Sequence, residues 1–225
     1  MHASNRRRFL VTTGAYGVAS IVAANQVLGD SIPTPAQTMG PYYPKPPILE
    51  QPFYDADLTR KDKDSPVAEG EIIVVEGQIV DIHGNPIAKS VVEVWQASSA
   101  GKYNHPGDTN QVPLDPNFQY WAHILTDDEG KYSYKTILPG KYPGRTPHIH
   151  YRIQAKGHKE LVTQMYFESK GSDNSKDGIY KGLTKPQQES VTVAFAKSKE
   201  HDNLPIGKFQ IVLGPREASN STPPM

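Results

Sequence analysis

From Glu71 to Gly214 the chain alternates apolar and polar residues at period two, in short runs broken every ten residues or so by Gly, Pro, Asn or Asp. EIIVVEGQIVDIHGNPIAKSVVEVWQ (71–96) reads as strand, turn, strand, with Gly84-Asn85-Pro86 at the turn. HILTDDEGKYSYKTILPG (123–140) and HIHYRIQAKGHKELVTQMYF (148–167) repeat the theme, and SVTVAFAK (190–197) and KFQIVLG (208–214) close the set. Successive side chains of a strand point to opposite faces, so each run has one face to bury. No long stretch repeats at helical spacing to supply a cover. The sequence therefore predicts an all-β fold, an antiparallel β-sandwich with long loops. No internal repeat and no second domain are visible.

The 20 prolines and 18 glycines fit that reading and exclude a helical bundle. Seven of the prolines fall between Asp30 and Ser65, where they preclude a helix or a central strand. Met39, Tyr42, Tyr43, Ile48, Phe53 and Tyr54 in the same stretch imply an extended arm that packs on the core rather than a solvated linker. The expected organisation is a leader over 1–29, a Pro-rich arm over 30–70, a β-sandwich over 71–215 and a flexible tail over 216–225. Formal net charge is zero, which gives no reason to expect a nucleic-acid partner or an acidic membrane surface.

Arg6, Arg7, Arg8, Phe9 and Leu10, followed by a mildly apolar stretch, resemble a twin-arginine export signal. A basic unstructured tail is the other reading, and the order of basic, apolar and polar regions favours export. The Gly, Thr, Ser and Asn after Phe9 make a poor membrane span, so no stable membrane anchoring is expected. The mature protein is expected in the periplasm or outside the cell. No clean A-x-A marks a cleavage point.

The chain has no cysteine, so any metal must be held by His, Asp, Glu or Tyr. His148 and His150, at i and i+2 of a strand, project from one face within reach of a single ion. That pair alone leaves a solvated polar face and a metal site equally open. Two tyrosines stand in loops nearby: Tyr142 in KYPGRTP and Tyr103 in SAGKYNHPGD. Each could be a core aromatic with a satisfied hydroxyl. As phenolates beside two neutral imidazoles they would suit ferric iron, because charged oxygen ligands offset most of a trivalent charge.

At this point the chain resembles the intradiol ring-cleavage dioxygenases, and within them the single-domain protocatechuate 3,4-dioxygenase type. The likeness runs through TPAQTMGPYYP (34–44), VVEVWQASSAGKYNH (91–105), LDPNF (114–118), LTDDEGKYSYKTILPGKYP (125–143), TPHIHYRI (146–153), LVTQMYFE (161–168) and FQIVLG (209–214), in the family's order. It implies a non-haem Fe(III) centre held by Tyr103, Tyr142, His148 and His150. In the family pattern Tyr103 and His148 stay on the metal, and Tyr142 leaves when substrate arrives. Arg145 matches the arginine that stabilises negative charge on the bound ring, and Gln164 a glutamine beside the site. The implied reaction joins a catechol-type substrate, protocatechuate or a relative, with O2 to give a muconate-type dicarboxylate and consumes no external reductant.

The sequence departs from the family at Gly144, where the protocatechuate enzymes commonly place Trp, and the loop before the histidines is short. An aromatic pocket wall must then come from elsewhere, with Trp121 and Tyr120 as candidates. The Pro-rich arm leaves no room for the helical dimerisation segment of the catechol 1,2-dioxygenase type; assembly with itself or with a related partner chain stays open. Two other readings compete. VEGQIVDIHGNPIAKSVVEVW and TDDEGKYSYKTILPG also resemble transthyretin-like or carboxypeptidase-regulatory modules, which bind or stiffen without catalysing. An extradiol-type ferrous site would need two histidines and a carboxylate, for which Glu93 and Glu168 are the residues of the right type.

Overall fold

The structure, a computed structural model, describes residues 31–45, 55–168 and 173–215. The expected leader and tail, together with Ile48, Phe53 and Tyr54 of the arm, lie outside the described residues. Ten strands form two five-stranded sheets among the described residues. The first contains β1 (Ile72–Asp81), β4 (Lys131–Ile137), β8 (Phe195–Lys197), β9 (Pro205–Lys208) and β10 (Ile211–Leu213). The second runs β3-β2-β5-β6-β7, with β2 at Val91–Trp95, β3 at Trp121–Leu125, β5 at His148–Gln154, β6 at Leu161–Phe167 and β7 at Thr192–Val193.

The all-β, two-sheet architecture is the one the periodicity implies. The sheets are mixed rather than purely antiparallel, since β1 pairs in parallel with β9 and β10, and β6 with β7. Two further differences sit near the C-terminal end. SVTVAFAK is not one strand: its first residues finish the short helix α2 (Lys185–Val191), and the rest divides between β7 and β8. Pro186 in the first turn, and the Gln187 side chain accepting from the Thr184 N–H, start that helix by local chemistry that outweighs a strand pattern. A one-turn helix, α1 (Gly178–Lys181), precedes it.

The sheets face each other through an apolar core. Val92, Val94, Ile149, Tyr151 and Ile153 of the second sheet meet Ile73, Val75, Ile79 and Tyr134 of the first, together with Phe209 from the link between β9 and β10. Tyr151 is fully buried, and its hydroxyl meets that of Tyr134 at 2.5 Å. The other face of the second sheet is covered by irregular chain. The arm is tied to β10 by Thr34 N–H to Val212 O (3.0 Å) and to the edge of β6 by Gln37 N–H to Val162 O (2.8 Å). It then crosses directly above the histidine strand.

Candidate functional site

The register of the second sheet assembles the site's floor. Trp95 of β2 stands opposite His150 of β5, and Gln164 of β6 stands on the other side of His150; His148 is opposite Tyr166. All five side chains share the face turned away from the main core, and all are buried. Trp95 stacks on His150 with ring centres 4.8 Å apart and planes 7° from parallel. Above them passes Gly40, whose φ of +73° favours glycine and where a Cβ would come to 3.2 Å from the His150 ring.

Two loops bring in the tyrosines, and a glycine crossing sets their approach. A Cβ on Gly140 would lie 2.2 Å from the Ser99 carbonyl oxygen, and one on Gly101 would lie 2.1 Å from that of Lys141. Only glycine allows this contact, which fixes Tyr103 and Tyr142 two residues further along each loop. Gly-Lys-Tyr precedes both positions in sequence but also occurs at 130–132, where it leads Tyr132 into the core, so the tripeptide alone marks nothing.

Ring centres then lie 5.5 Å apart for Tyr103 and Tyr142, 5.5 Å for Tyr142 and His148, 4.8 Å for the two histidines and 6.2 Å for His150 and Tyr103. The four expected ligand-type residues therefore form a closed ring. His148 Nδ1 lies 2.7 Å from the Thr146 carbonyl oxygen, which fixes the proton on Nδ1 and leaves Nε2 as a lone pair. That Nε2 faces His150 Nε2 at 3.1 Å. Burial, reinforced by Arg145, lowers the His148 pKa to about 4; burial and the neighbouring His148 lower that of His150 well below its ordinary value. Both imidazoles are neutral at pH 7.

The tyrosines differ. Tyr103 is fully buried, its hydroxyl has no hydrogen-bond partner among the described residues, and burial followed by the nearness of Tyr142 pushes its pKa far up. Tyr142 is half-buried and accepts from Arg145 Nη1 at 3.0 Å; burial raises its pKa while Arg145 opposes the rise. An orphaned buried hydroxyl costs about 1–3 kcal/mol. Two converging imidazole Nε2 atoms beside two phenol oxygens, one of them unpaired, fit a hard, highly charged cation that deprotonates phenol on binding. No three His, Cys, Asp or Glu residues come together among the described residues. The carboxylates considered from sequence point elsewhere: Glu93 accepts from the Tyr43 hydroxyl at 2.7 Å and lies 3.5 Å from Arg152, and Glu168 is exposed.

Arg145 and Gln164 join the same group. Arg145 Nη2 donates to Gln164 Oε1 at 2.5 Å, and Gln164 Nε2 donates to the Thr38 carbonyl of the arm at 2.9 Å. The expected substitutes for the missing aromatic wall divide. Trp121 belongs to the aromatic cluster around Trp95 and Tyr103, whereas Tyr120 packs on Phe118 in the main core, ring centres 4.7 Å apart. Tyr42 of the arm, expected only to pack on the core and not named as a pocket wall, stands 4.8 Å from Tyr103 and 5.8 Å from Tyr142. Tyr166 was also missed; its hydroxyl lies 3.1 Å from Gln164 Oε1, and its alternation in step with Gln164 was the available signal.

A family model described as dioxygenase matches residues 39–214, most of the chain and all of the site. The protocatechuate 3,4-dioxygenase beta chain of Burkholderia cepacia is 37% identical over 174 residues, covering 73% of this chain and 74% of that one. The chain belongs to the intradiol ring-cleavage dioxygenase family. Among solved structures, this intradiol dioxygenase is similar to the dioxygenase domain of a dioxygenase–carbohydrate-binding fusion from Streptomyces sp. SirexAA-E, at 28% identity and a TM-score of 0.61. That match covers 82% of this chain and 100% of the other. It is also similar to catechol 1,2-dioxygenase of Acinetobacter sp. ADP1, at 25% identity and a TM-score of 0.59, over 81% of this chain and 63% of that one. These relatives favour the enzyme over the transthyretin-like module.

Proposed function

We propose that this protein cleaves a catechol-type ring between its two hydroxylated carbons with O2, giving a muconate-type dicarboxylate, at a non-haem ferric ion held by Tyr103, Tyr142, His148 and His150. The observation that carries the reading is the convergence of both histidine Nε2 atoms with the unpaired Tyr103 oxygen on one buried wall. The ion, when bound, supplies a Lewis-acidic and redox-active centre that acidifies catechol hydroxyls and draws electron density from the ring.

The chain's own residues do the rest. Thr146 holds the His148 tautomer that leaves Nε2 free to ligate. Tyr103, enclosed on every side, is the fixed oxygen; Tyr142, half-exposed, is the one with room to move. A Tyr142 phenolate that swings away accepts a proton from a substrate hydroxyl at its own oxygen. Arg145 Nη1, which bonds that oxygen in this state, is then free to donate to negative charge on the substrate ring. Tyr42, Tyr43 and Trp95 exclude water from the arm side. The relative from Burkholderia is named for protocatechuate, and a catechol with or without a ring carboxylate fits this proposal.

The test is the visible absorption of purified, iron-loaded protein before and after anaerobic addition of catechol. A broad phenolate-to-ferric band that moves to longer wavelength, followed by ring-opened product on admitting air, is the expected result. A colourless protein after iron supplementation would sink the proposal. We further propose that residues 1–29 are a twin-arginine-type export signal, on the order of their basic, apolar and polar regions. Replacing Arg6, Arg7 and Arg8 with Lys should trap a reporter fusion inside the cell; unchanged export would refute it.

A further inference from the structure

Asp177 lies 32 residues beyond Arg145, in a segment with no strand pattern, yet its side chain is wholly withdrawn from solvent. Its two oxygens have separate partners. Oδ1 accepts from the backbone N–H groups of Ile179 (2.9 Å) and Tyr180 (3.2 Å), capping α1. Oδ2 accepts from Arg145 Nε at 2.7 Å and from the Thr146 N–H at 3.1 Å. Both of those bonds lead into the site. Because a guanidinium is planar, holding Nε aims both Nη atoms, and they reach Tyr142 and Gln164. Thr146, in turn, presents the carbonyl that fixes the His148 proton. A second residue of the same segment, Asn174, accepts from the Thr146 hydroxyl at 3.0 Å and secures itself on the Phe167 carbonyl at 3.1 Å. Asp177 is ionised in this setting: burial would raise its pKa, but the hydrogen bond and charge of Arg145 outweigh burial and lower it.

We propose that Asp177 is a positioning residue for ring cleavage, its Oδ2 clamping the Arg145 guanidinium and the Thr146 peptide so that one carboxylate orients both the charge-stabilising arginine and a metal-facing histidine. This rests on the ring-cleavage reading of the site for its catalytic consequence, but the clamp is a property of the protein alone. An arginine bonded only to neutral oxygens could rotate about its long side chain; a carboxylate on Nε makes the strongest of its bonds and removes that freedom. Nothing else buried among its partners carries a negative charge, so the pair also keeps the arginine from being an unpaired buried cation.

Asp177→Asn separates the cap from the clamp. The amide oxygen can still accept from Ile179 and Tyr180, while the amide NH2 faces two donors from which it cannot accept. In metal-free protein, nitrogen-15 NMR should show the Arg145 Nε–H exchanging with solvent at least about tenfold faster than in wild type. In the iron-loaded enzyme, kcat should fall about 10–100-fold with KM changed less than about threefold. In an Arg145→Ala background the same substitution should cost clearly less than in wild type, because the share of its effect that travels through the arginine is already lost and only the Thr146 branch remains. An unchanged Nε–H exchange rate, or a full kcat loss on top of Arg145→Ala, would overturn the proposal. Asp177→Ser, which also caps a helix without a charge, takes the place of the Asn variant if that one does not fold. If wild-type protein cleaves no catechol, the ring-cleavage reading fails and the exchange rate alone decides the clamp.

Discussion

The two faces of the second sheet are equally buried and built on opposite principles. On the inner face Ile149, Tyr151 and Ile153 of β5 are fully enclosed, and their cover is another sheet. On the outer face His148 and His150 of the same strand are 2% and 1% exposed, under an arm and two loops. The inner face buries apolar area and pairs its few polar atoms, which is how a core is stabilised. The outer face buries two imidazoles whose Nε2 atoms meet each other, and it leaves the Tyr103 hydroxyl and His150 Nδ1 without a partner among the described residues. One face holds the fold, and the other stores unsatisfied polarity that the proposed cation would relieve.

The largest effect should come from Tyr103→Phe, which separates the two principles in one residue. Ring cleavage should fall at least about 1,000-fold, beyond the roughly 10–100-fold that losing a supporting contact around a metal costs. The metal-free protein should become more stable, by about 1 kcal/mol, since an unpaired buried hydroxyl is removed. Urea unfolding beside steady-state kinetics checks both, and a destabilised metal-free variant would erase the contrast between the faces.

Ile153→Ala tests the inner face and should show the reverse pattern. Unfolding should cost about 3 kcal/mol less in urea titrations, as for other buried aliphatic truncations. Turnover per folded molecule should stay within about twofold, because the side chain points away from the site. A large loss of turnover would show that the faces are not independent.

Acid sensitivity sharpens the comparison further. His148 titrates near 4 when folded against about 6.5 unfolded, so between those values the unfolded chain holds the extra proton. Stability of the metal-free protein is therefore complete above about pH 6.5 and declines as pH falls toward 4, by about 3 kcal/mol from this residue. His148→Gln should reduce the slope across that window in urea titrations at several pH values, leaving the part that the likewise depressed His150 contributes. An unaltered slope would place the acid response elsewhere.

The smallest effect is expected at the arm. Tyr42→Ala removes ring contacts with Tyr103 and Tyr142, each worth about 1 kcal/mol, and should raise KM for catechol about tenfold with little change in kcat. A fall in kcat alone would make Tyr42 part of the chemistry rather than of the pocket wall.

Which face each strand residue takes is legible in the order of residues alone. Period two put His148 with His150 on one side before any neighbour was known, because strand geometry is local. The sequence also placed Tyr103, Tyr142, Arg145 and Gln164 near the histidines through the order of the family's motifs. What covers that face was decided only by the tertiary structure. Gln37 reaches the Tyr166 hydroxyl across 129 residues, and Tyr42 reaches Tyr103 from a Pro-rich stretch that has no period to read. Nothing in DNSKDG singles out Asp177, and Tyr120 reads as a candidate wall of the pocket; the fold buries the first on Arg145 and turns the second into the core. Local pattern fixes the direction in which a side chain leaves the backbone. Its partners depend on where distant chain returns, and that is set by packing the whole core.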